Sequence, residues 1–514
     1  MAPRGGLRTN DGTIAERVDG AESSGQANRI RERRVHSPAA YSIQMRLDAM
    51  VACRLFWELC EGVGLVESPT GRRTKTTTAA VMVLDLAATL TGSIRSAAVY
   101  LEDPATWQRL VNVAKEAWPD NPLRRLPSQP ASRSQHGRFR SRHFTAAPEQ
   151  TEAIRELTRL LAVDAASEID LFSPGSGSFS RPGRDQTIAG DATYVKAAFN
   201  TNDPILADPV TGEVRTRRVD DDATWTAGNE KSPGYYLVDA VAQGTTPGAR
   251  IILDATLRPH GTGDGAVFCD LVEAIQHDLS RHGREAYAAT YDMALHAADQ
   301  DRLLGLGLIP VAKVPLTKRK KRAQRRLGPH TFRLSDSTHQ SFDVIAVDGT
   351  PHIEVPTTDG LCPVMLERTQ TKRRQRKDGT FQVASFWRIP DQPEVAIRLV
   401  GATARVLNQS TPQELNRSTP KPRTRTLRVI PPSDPSYREI FGTRESTESM
   451  HRHWKAKLVN KRARTVGANR LRHAFHCYQM SVNITTLLRH AQQTDNWDMF
   501  GAWRPPQRRL QLVA

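Results

Sequence analysis

This chain of 514 residues has only five cysteines and no long uninterrupted apolar run. It also lacks a glycine loop of the nucleotide-binding type. The cysteines are too few and too scattered for a disulfide scaffold, which predicts a reducing compartment; they are Cys53, Cys60, Cys269, Cys362 and Cys477. The longest apolar run, 79–90, is interrupted by Asp85 and is shorter than the about 20 residues of a membrane span. The opening residues, MAPRGGLRTNDGT, have no apolar core, so we expect no signal peptide. No Gly-x4-Gly-Lys-Ser/Thr loop is present, and no nucleotide cofactor is predicted.

Acidic residues are also scarce, but only in the second part of the chain. Residues 1–314 carry 36 basic and 39 acidic side chains, whereas residues 315–514 carry 36 basic and 16 acidic ones, a net charge of 36 − 16 = +20. Such an asymmetry favours a polyanionic partner such as DNA, although any single basic run could be a solvated surface. The two densest runs supply the candidate DNA contacts, namely Lys318, Arg319, Lys320, Lys321, Arg322, Lys372, Arg373 and Arg374.

Shifts in composition divide the chain into predicted segments. These are a disordered polar tail (1–35), a helical N-terminal domain (36–172), the first part of an α/β core (184–314), a β-rich basic insertion (315–430), a second part of the core with two long helices (431–492), and a C-terminal tail (493–514). In the first part of the core, three strands are followed by alternating helices and strands. This order predicts an α/β fold with a mixed sheet flanked by helices.

Two aspartates stand out because they lie in or directly after predicted strands. Asp191 lies inside the first strand, QTIAGDATYVK, and Asp292 follows the fourth, in ATYDMALH. An ionised carboxylate in such a strand is costly unless it is paired or binds a cation. Either aspartate alone could form a local pair with a neighbouring group, but the two together indicate a cation-binding site.

A third acid has a definite position on a predicted helix over 438–458. The stretch contains Phe441, Arg444, Glu448 and Lys455, which share one face if each residue turns the helix by about 100°. This face could be an ordinary ion-paired surface. Alternatively, Glu448 holds a metal while the flanking cations hold phosphates. Glu445 lies on nearly the same face, but only Glu448 has the spacings to both Arg and Lys.

These residues resemble the DDE transposases of bacterial insertion sequences, of the cut-and-paste type. That family has an RNase H-like core with one Asp on strand one, a second just after strand four, and a Glu on a later helix. One large group has the signature Tyr-x2-Arg-x3-Glu-x6-Lys and a β-rich insertion before the Glu. Here the stretch is Phe441-x2-Arg444-x3-Glu448-x6-Lys455, so a hydroxyl is missing at the first position.

The resemblance implies strand cleavage and strand transfer at a two-metal site formed by Asp191, Asp292 and Glu448. Mg²⁺, with Mn²⁺ as a substitute, suits such carboxylate ligands. Arg444 would clamp a phosphate and Lys455 would act as a point charge. The implied partner is double-stranded DNA, both element ends and target, and synapsis of two ends implies a dimer. The implied location is the cytoplasm, on the nucleoid.

Two other functions remain open from the sequence. One is a transposase-derived DNA-binding protein without catalysis, and the other is an RNase H-like nuclease that cuts without joining. Two further groups of residues have simpler interpretations. Asp264, in HGTGD, is expected to cap the following helix. His473, His476 and Cys477 share a helix, but no second pair of ligands is evident, so no structural zinc is predicted.

Overall fold

The computed structural model describes most of the chain from residue 41 onward. The described residues are 41–63, 77–145, 148–201, 203–207, 211–216, 219–225, 232–246, 248–314, 325–358, 360–398, 403–406, 421–458 and 461–506. The predicted tail 1–35 and the basic residues 318–322 lie outside these ranges.

The residues predicted to be helical in the N-terminal part form seven helices among the described residues. They are α1 (Ile43–Ala52), α2 (Arg54–Gly62), α3 (Thr78–Thr91), α4 (Ile94–Glu102), α5 (Pro104–Ala117), α6 (Arg133–His143) and α7 (Pro148–Glu168). Hydroxyl or carboxylate side chains cap several of their first turns, as Ser42, Thr77 and Asp103 do. Such caps satisfy backbone N–H groups that have no partner within the helix.

None of the described helices is by itself both long and apolar enough to cross a membrane. Helices α3 and α4 reach that length and apolarity only as a pair, across a bend of 113°.

A mixed sheet follows the helices and confirms the α/β class. Its strands are β1 (Thr187–Lys196), β4 (Thr224–Trp225), β5 (Pro233–Gln243), β6 (Arg250–Leu257), β7 (Ala288–Thr290) and β8 (Ile309–Val311), while β2 (Ile205–Ala207) and β3 (Val214–Thr216) form a separate pair. Strands β6, β5 and β1 are antiparallel neighbours, and β7 and β8 extend the sheet in parallel with β1. The parallel strands are reached through α8 (Asp264–Arg281) and α9 (Ala297–Gly305), because parallel neighbours need a crossover connection.

The sequence predicted one helix over 438–458, but the structure contains two. They are α10 (Pro435–Gly442) and α11 (Glu445–Ala456), and the long α12 (Ala468–Thr494) follows. At the break, the Thr443 hydroxyl donates to the Ile440 carbonyl at 2.7 Å, and the Arg444 amide donates to the Phe441 carbonyl, three residues back. These three-residue bonds tighten the backbone and end the first helix.

Helices cover both faces of the mixed sheet. On one face, Gly190 of β1 lies directly under the ring of Phe268 from α8, where a side chain would overlap the ring. On the other face, Met450 and Trp454 of α11 and Phe475 of α12 share a buried core with β1, β5 and β6. Side chains alternate between the faces of a strand, so Asp191, next to Gly190, points toward α11.

The residues after β8 form a second group of strands. They are β9 (Arg325–Arg333), β10 (His339–Val347), β11 (Thr350–Thr357), β12 (Gly360–Met365), β13 (Glu367–Gln375), β14 (Phe381–Arg388), β15 (Glu394–Arg398), β16 (Thr403–Val406) and β17 (Lys421–Pro422). Strands β13, β14 and β15 form one sheet, and β12, β11, β10, β9, β16 and β17 form the other. Trp387 of β14 is buried in one core with Ile309 and Val311 of β8, so these sheets pack at that edge of the mixed sheet.

Buried ion pairs fasten the N-terminal helices to the mixed sheet. Arg155 of α7 donates two hydrogen bonds of 2.9 Å to Asp254 of β6, whose side chain is buried. Arg159, one turn later, donates to Asp278 of α8 at 2.7 Å.

The described residues of the predicted C-terminal tail, up to residue 506, pack against the N-terminal helices. Trp503 is buried, and the Ala502 amide donates to the Ala117 carbonyl at 3.0 Å. Aromatic side chains at Trp497 and Phe500 pack in the same region, so this segment closes over the end of α5.

We expect Gly190→Ala to lower the free energy of unfolding by about 1–3 kcal/mol, because the added methyl overlaps Phe268 and overpacks the core. The measurement is the thermal unfolding midpoint. Gly137→Ala in α6 is the matched control, since nothing lies within 4 Å of its added carbon, and it should be neutral or slightly stabilising. Equal midpoints for Gly190→Ala and the wild type would contradict the close packing of α8 on β1.

Candidate active site

Asp191 lies in the middle of β1 and faces helix α11. In the antiparallel register of β1 and β5, Asp191 is directly opposite Asp239. The Asp191 carboxylate forms ion pairs with two side chains of the α11 segment, with Arg444 Nη1 at 3.5 Å and His451 Nδ1 at 3.6 Å. Two adjacent carboxylates are therefore compensated by side chains from one helix.

Asp292 follows β7, the strand that runs parallel to β1. The register pairs Thr187 with Ala288 and Ala189 with Thr290, so Asp191 and Asp292 each lie two residues beyond the last pair. The Asp292 carboxylate accepts from the Ala294 amide at 2.7 Å, which fixes the turn after the strand. The two aspartates that the sequence singled out thus have corresponding positions after the paired residues of two parallel strands.

Asp264 belongs to the same acidic group, although the sequence assigned it only a capping role. It is the first residue of α8, where Gly263 is the cap, and its carboxylate accepts from Arg258 Nη1 at 2.7 Å. Burial raises the pKa of Asp264, Arg258 lowers it, and the negative charges of Asp292 and Asp191 raise it further. Asp264 therefore lies within electrostatic reach of both predicted site aspartates.

Glu448 is joined to Asp191 through Arg444. Arg444 immediately precedes α11, and its Nη2 donates to the Glu448 carboxylate at 2.5 Å while its Nη1 faces Asp191. The Glu448 side chain is 51% exposed, so it is open to solvent and to a substrate. The exposed carboxylate of Glu445, three residues earlier, has no such link to Asp191 among the described ion pairs.

The other two positions of the predicted helix motif have different surroundings. Lys455 is half-buried and lies about two turns after Glu448 on α11. The ring of Phe441 stacks on Tyr437 with centroids 5.1 Å apart, and Lys313 Nζ and the Arg444 guanidinium lie 5.4 and 5.7 Å from its centre. Phe441 thus supports the cations by its aromatic face, without a hydroxyl.

His451 and Asp239 are the residues that the sequence interpretation missed. Asp239 is fully buried, and His451 Nε2 donates to its carboxylate. Burial acts to lower the pKa of His451, but Asp239 and Asp191 outweigh it and raise the pKa to about 9. An acid inside the apolar strand GYYLVDAVAQ was the available signal for Asp239, by the argument applied to Asp191. Nothing in the sequence indicated its histidine partner.

The donor set of this site fits a hard divalent cation. Asp191, Asp292 and Glu448 offer carboxylate oxygens, which Mg²⁺ prefers. Burial raises the pKa of the Tyr291 hydroxyl, and the aspartates around it raise that pKa further. Several aspartates therefore act together on this region, and a cation held by the three acids would offset part of their charge.

The basic run on β13 divides into two roles. Lys372 and Arg374 are exposed on one side of the strand. Arg373 points to the other side, where it donates to both oxygens of Glu285 and to the Gly307 carbonyl, and stacks on Phe381. A DNA contact by Arg373 would require it to leave these partners, so the prediction applies best to its two neighbours.

We expect the His451–Asp239 pair to make stability depend on pH in Mg²⁺-free buffer. Below about pH 6.5, His451 is protonated in both folded and unfolded chains, so its contribution is complete. Between about pH 6.5 and 9, only the folded chain keeps the proton, and up to about 3 kcal/mol is lost as pH rises.

The measurement is the pH profile of thermal unfolding against the double variant His451→Gln/Asp239→Asn, in which neither residue carries a charge. The wild type should lose its advantage over this control as pH rises, and parallel profiles would contradict the ion pair.

In comparisons with known proteins, no family model, no curated protein and no solved structure matches this chain.

Proposed function

We propose that this protein is a DDE-type DNA transposase that cleaves and joins DNA strands at Asp191, Asp292 and Glu448. The observation that carries the proposal is the bridge that Arg444 forms between Asp191 and Glu448. Asp292 follows β7, which is parallel to β1, and the charges of Asp292 and Asp191 both act on Asp264. In the sequence, Asp292 follows Asp191 by 292 − 191 = 101 residues, and Glu448 follows Asp292 by 448 − 292 = 156 residues.

The order of the strands supports an RNase H-like core within this proposal. Leaving aside the two-residue β4, the strands of the mixed sheet are β1, β5, β6, β7 and β8 in chain order. Asp191 is on the first of them and Asp292 follows the fourth, which is the placement that the family resemblance requires. The β-rich region 325–406 lies between Asp292 and Glu448, where the family has its insertion.

The chain supplies the ligands and the fixed charges for phosphoryl transfer. Mg²⁺, when bound, activates the attacking oxygen and stabilises the leaving one. Asp191 is held by β1 between two neighbouring strands, so its carboxylate is pre-positioned. His451, itself held by the buried Asp239, forms an ion pair with Asp191 at 3.6 Å. Glu448 is exposed on its helix and can turn toward the cation.

Arg444 has two possible sets of partners in this mechanism. Without substrate its guanidinium neutralises Asp191 and Glu448. If a bound cation neutralised these acids instead, the planar guanidinium would be free to hold a DNA phosphate with two parallel hydrogen bonds. The Phe441 ring beneath it keeps the guanidinium near the site in both arrangements.

Double-stranded DNA is the substrate that the charge distribution favours. The exposed Lys372 and Arg374 on β13, together with the run 318–322, would hold its phosphates. Simultaneous binding of two element ends would require a dimer. A nuclease that cuts without joining is distinguished by a strand-transfer assay with pre-cut ends, in which only a transposase inserts the ends into a target.

We expect Asp191→Asn, Asp292→Asn and Glu448→Gln each to lower cleavage of the element's ends by roughly 10²-fold or more. Loss of a residue that only supports a metal ligand lowers activity by about 10–100-fold, and loss of the ligand itself should lower it further. Glu445→Gln, on the same helix turn, is the matched control and should cut at nearly the wild-type rate. The assay uses DNA that contains the inverted repeats flanking the gene, with Mg²⁺. Wild-type cleavage by Asp191→Asn would show that the mechanism is wrong.

We expect the double variant Lys372→Gln/Arg374→Gln to bind DNA more weakly and with a shallower salt dependence. Each lost phosphate contact reduces the slope of log K against log salt by about 0.9. The control is Arg95→Gln/Lys115→Gln, which makes the same charge change at exposed positions of α4 and α5. Identical slopes for the two double variants would show that β13 does not contact DNA.

A further inference from the structure

Four polar side chains meet in the apolar interior, away from the acidic site. They are Asp85 of α3, His136 of α6, and His473 and Cys477 of α12, and each is at most 5% exposed. The Asp85 carboxylate has one oxygen 2.8 Å from His136 Nε2 and the other 3.0 Å from His473 Nε2. Cys477 Sγ lies 3.6 Å from the same His473 nitrogen. Asp85 is the residue that interrupts the longest apolar run of the sequence.

Three of these side chains lie close enough together to ligate a single metal ion. One ligand atom each from Asp85, His473 and Cys477 lies within 4.8 Å of the other two. Zinc bonds of about 2.0–2.3 Å at tetrahedral angles separate their ligand atoms by roughly 3.3–3.7 Å. The observed separations of 3.0 and 3.6 Å differ from these by a few tenths of an ångström, which a small side-chain rotation covers.

The arrangement of the helices explains how the set is assembled. His473 and Cys477 are four residues apart on α12, so they lie on one face of that helix. Asp85 comes from α3, which packs against this face. His136 holds the second oxygen of Asp85, as residues outside the ligand shell commonly do for a ligating carboxylate.

The chemistry of the donors favours zinc over the cation of the acidic site. Imidazole and thiolate are ligands for Zn²⁺, whereas Mg²⁺ takes oxygen ligands. With the aspartate and the thiolate each carrying one negative charge and both histidines neutral, Zn²⁺ would leave this buried cluster without net charge. A buried carboxylate in apolar surroundings is otherwise costly.

We propose that Asp85, His473 and Cys477 bind one Zn²⁺, with His136 orienting Asp85, and that this ion ties α3 and α6 to α12. The thiol of Cys477 gives up its proton to solvent as the sulfur–zinc bond forms. Three protein ligands leave one position of the tetrahedral ion for water. The site is independent of the proposed transposase chemistry.

The first test measures the metal content of the full-length, untagged protein grown with zinc. The wild type should contain about one zinc per chain, and Cys477→Ala should lose it. Cys53→Ala, which removes another buried thiol, and Asp191→Asn, which alters the acidic site, should both retain it. Zinc retained by Cys477→Ala, or lost from Asp191→Asn, would overturn the assignment.

The second test uses Co²⁺ added to the metal-stripped wild type, so it does not depend on whether a variant folds. A thiolate-to-cobalt charge-transfer band is expected, because the acidic site contains no sulfur. His136→Gln should weaken Co²⁺ affinity about 10–100-fold while keeping the band. If the wild-type protein is purified without zinc and gives no cobalt band, the cluster is only an ion-paired network. This conclusion does not depend on the outcome of the DNA assays.

Discussion

The close approach of Asp191 and Asp239 across β1 and β5 is the constraint on which the rest of the site depends. Two carboxylates at opposed positions of antiparallel strands repel each other, and Asp239 is fully buried. Arg444 and His451 supply the compensating charge, and both belong to the α11 segment. This segment must therefore lie against these strands, and the burial of Trp454 holds it there.

The same contacts explain why one helix carries both an acid and the cations that surround it. Glu448 and His451 are three residues apart, so they lie on neighbouring positions of the helix surface. Arg444 pairs with Glu448 four residues later and also reaches Asp191. Arg444 thus compensates the carboxylates in the substrate-free protein. In the proposed reaction, the same side chain would bind a phosphate.

The β-rich region contributes a surface and is also anchored to the core. Arg373 holds Glu285 beside the mixed sheet, and Arg368 donates to Asp434 at 2.6 Å, at the cap of α10. Because strand residues alternate between faces, this anchoring leaves Lys372 and Arg374 facing solvent. Among the described residues of β13, the positive charge therefore has a structural part and an exposed part, and only the exposed part could contact the proposed DNA substrate.

The sequence by itself determined local elements and one partnership at the site, between Arg444 and Glu448. Periodicity and turn residues predicted the strand that carries Asp191 and the helices and strands that alternate after it, because hydrophobic patterning and capping act over a few residues. The Arg444–Glu448 spacing is unaffected by the break between α10 and α11 because both residues follow the break.

Only the tertiary structure decided which distant charges meet. His451 and Asp239 are 212 residues apart, and Asp85 and His473 are 388 apart. Such contacts follow from how helices and strands pack against one another, and no local pattern encodes that packing.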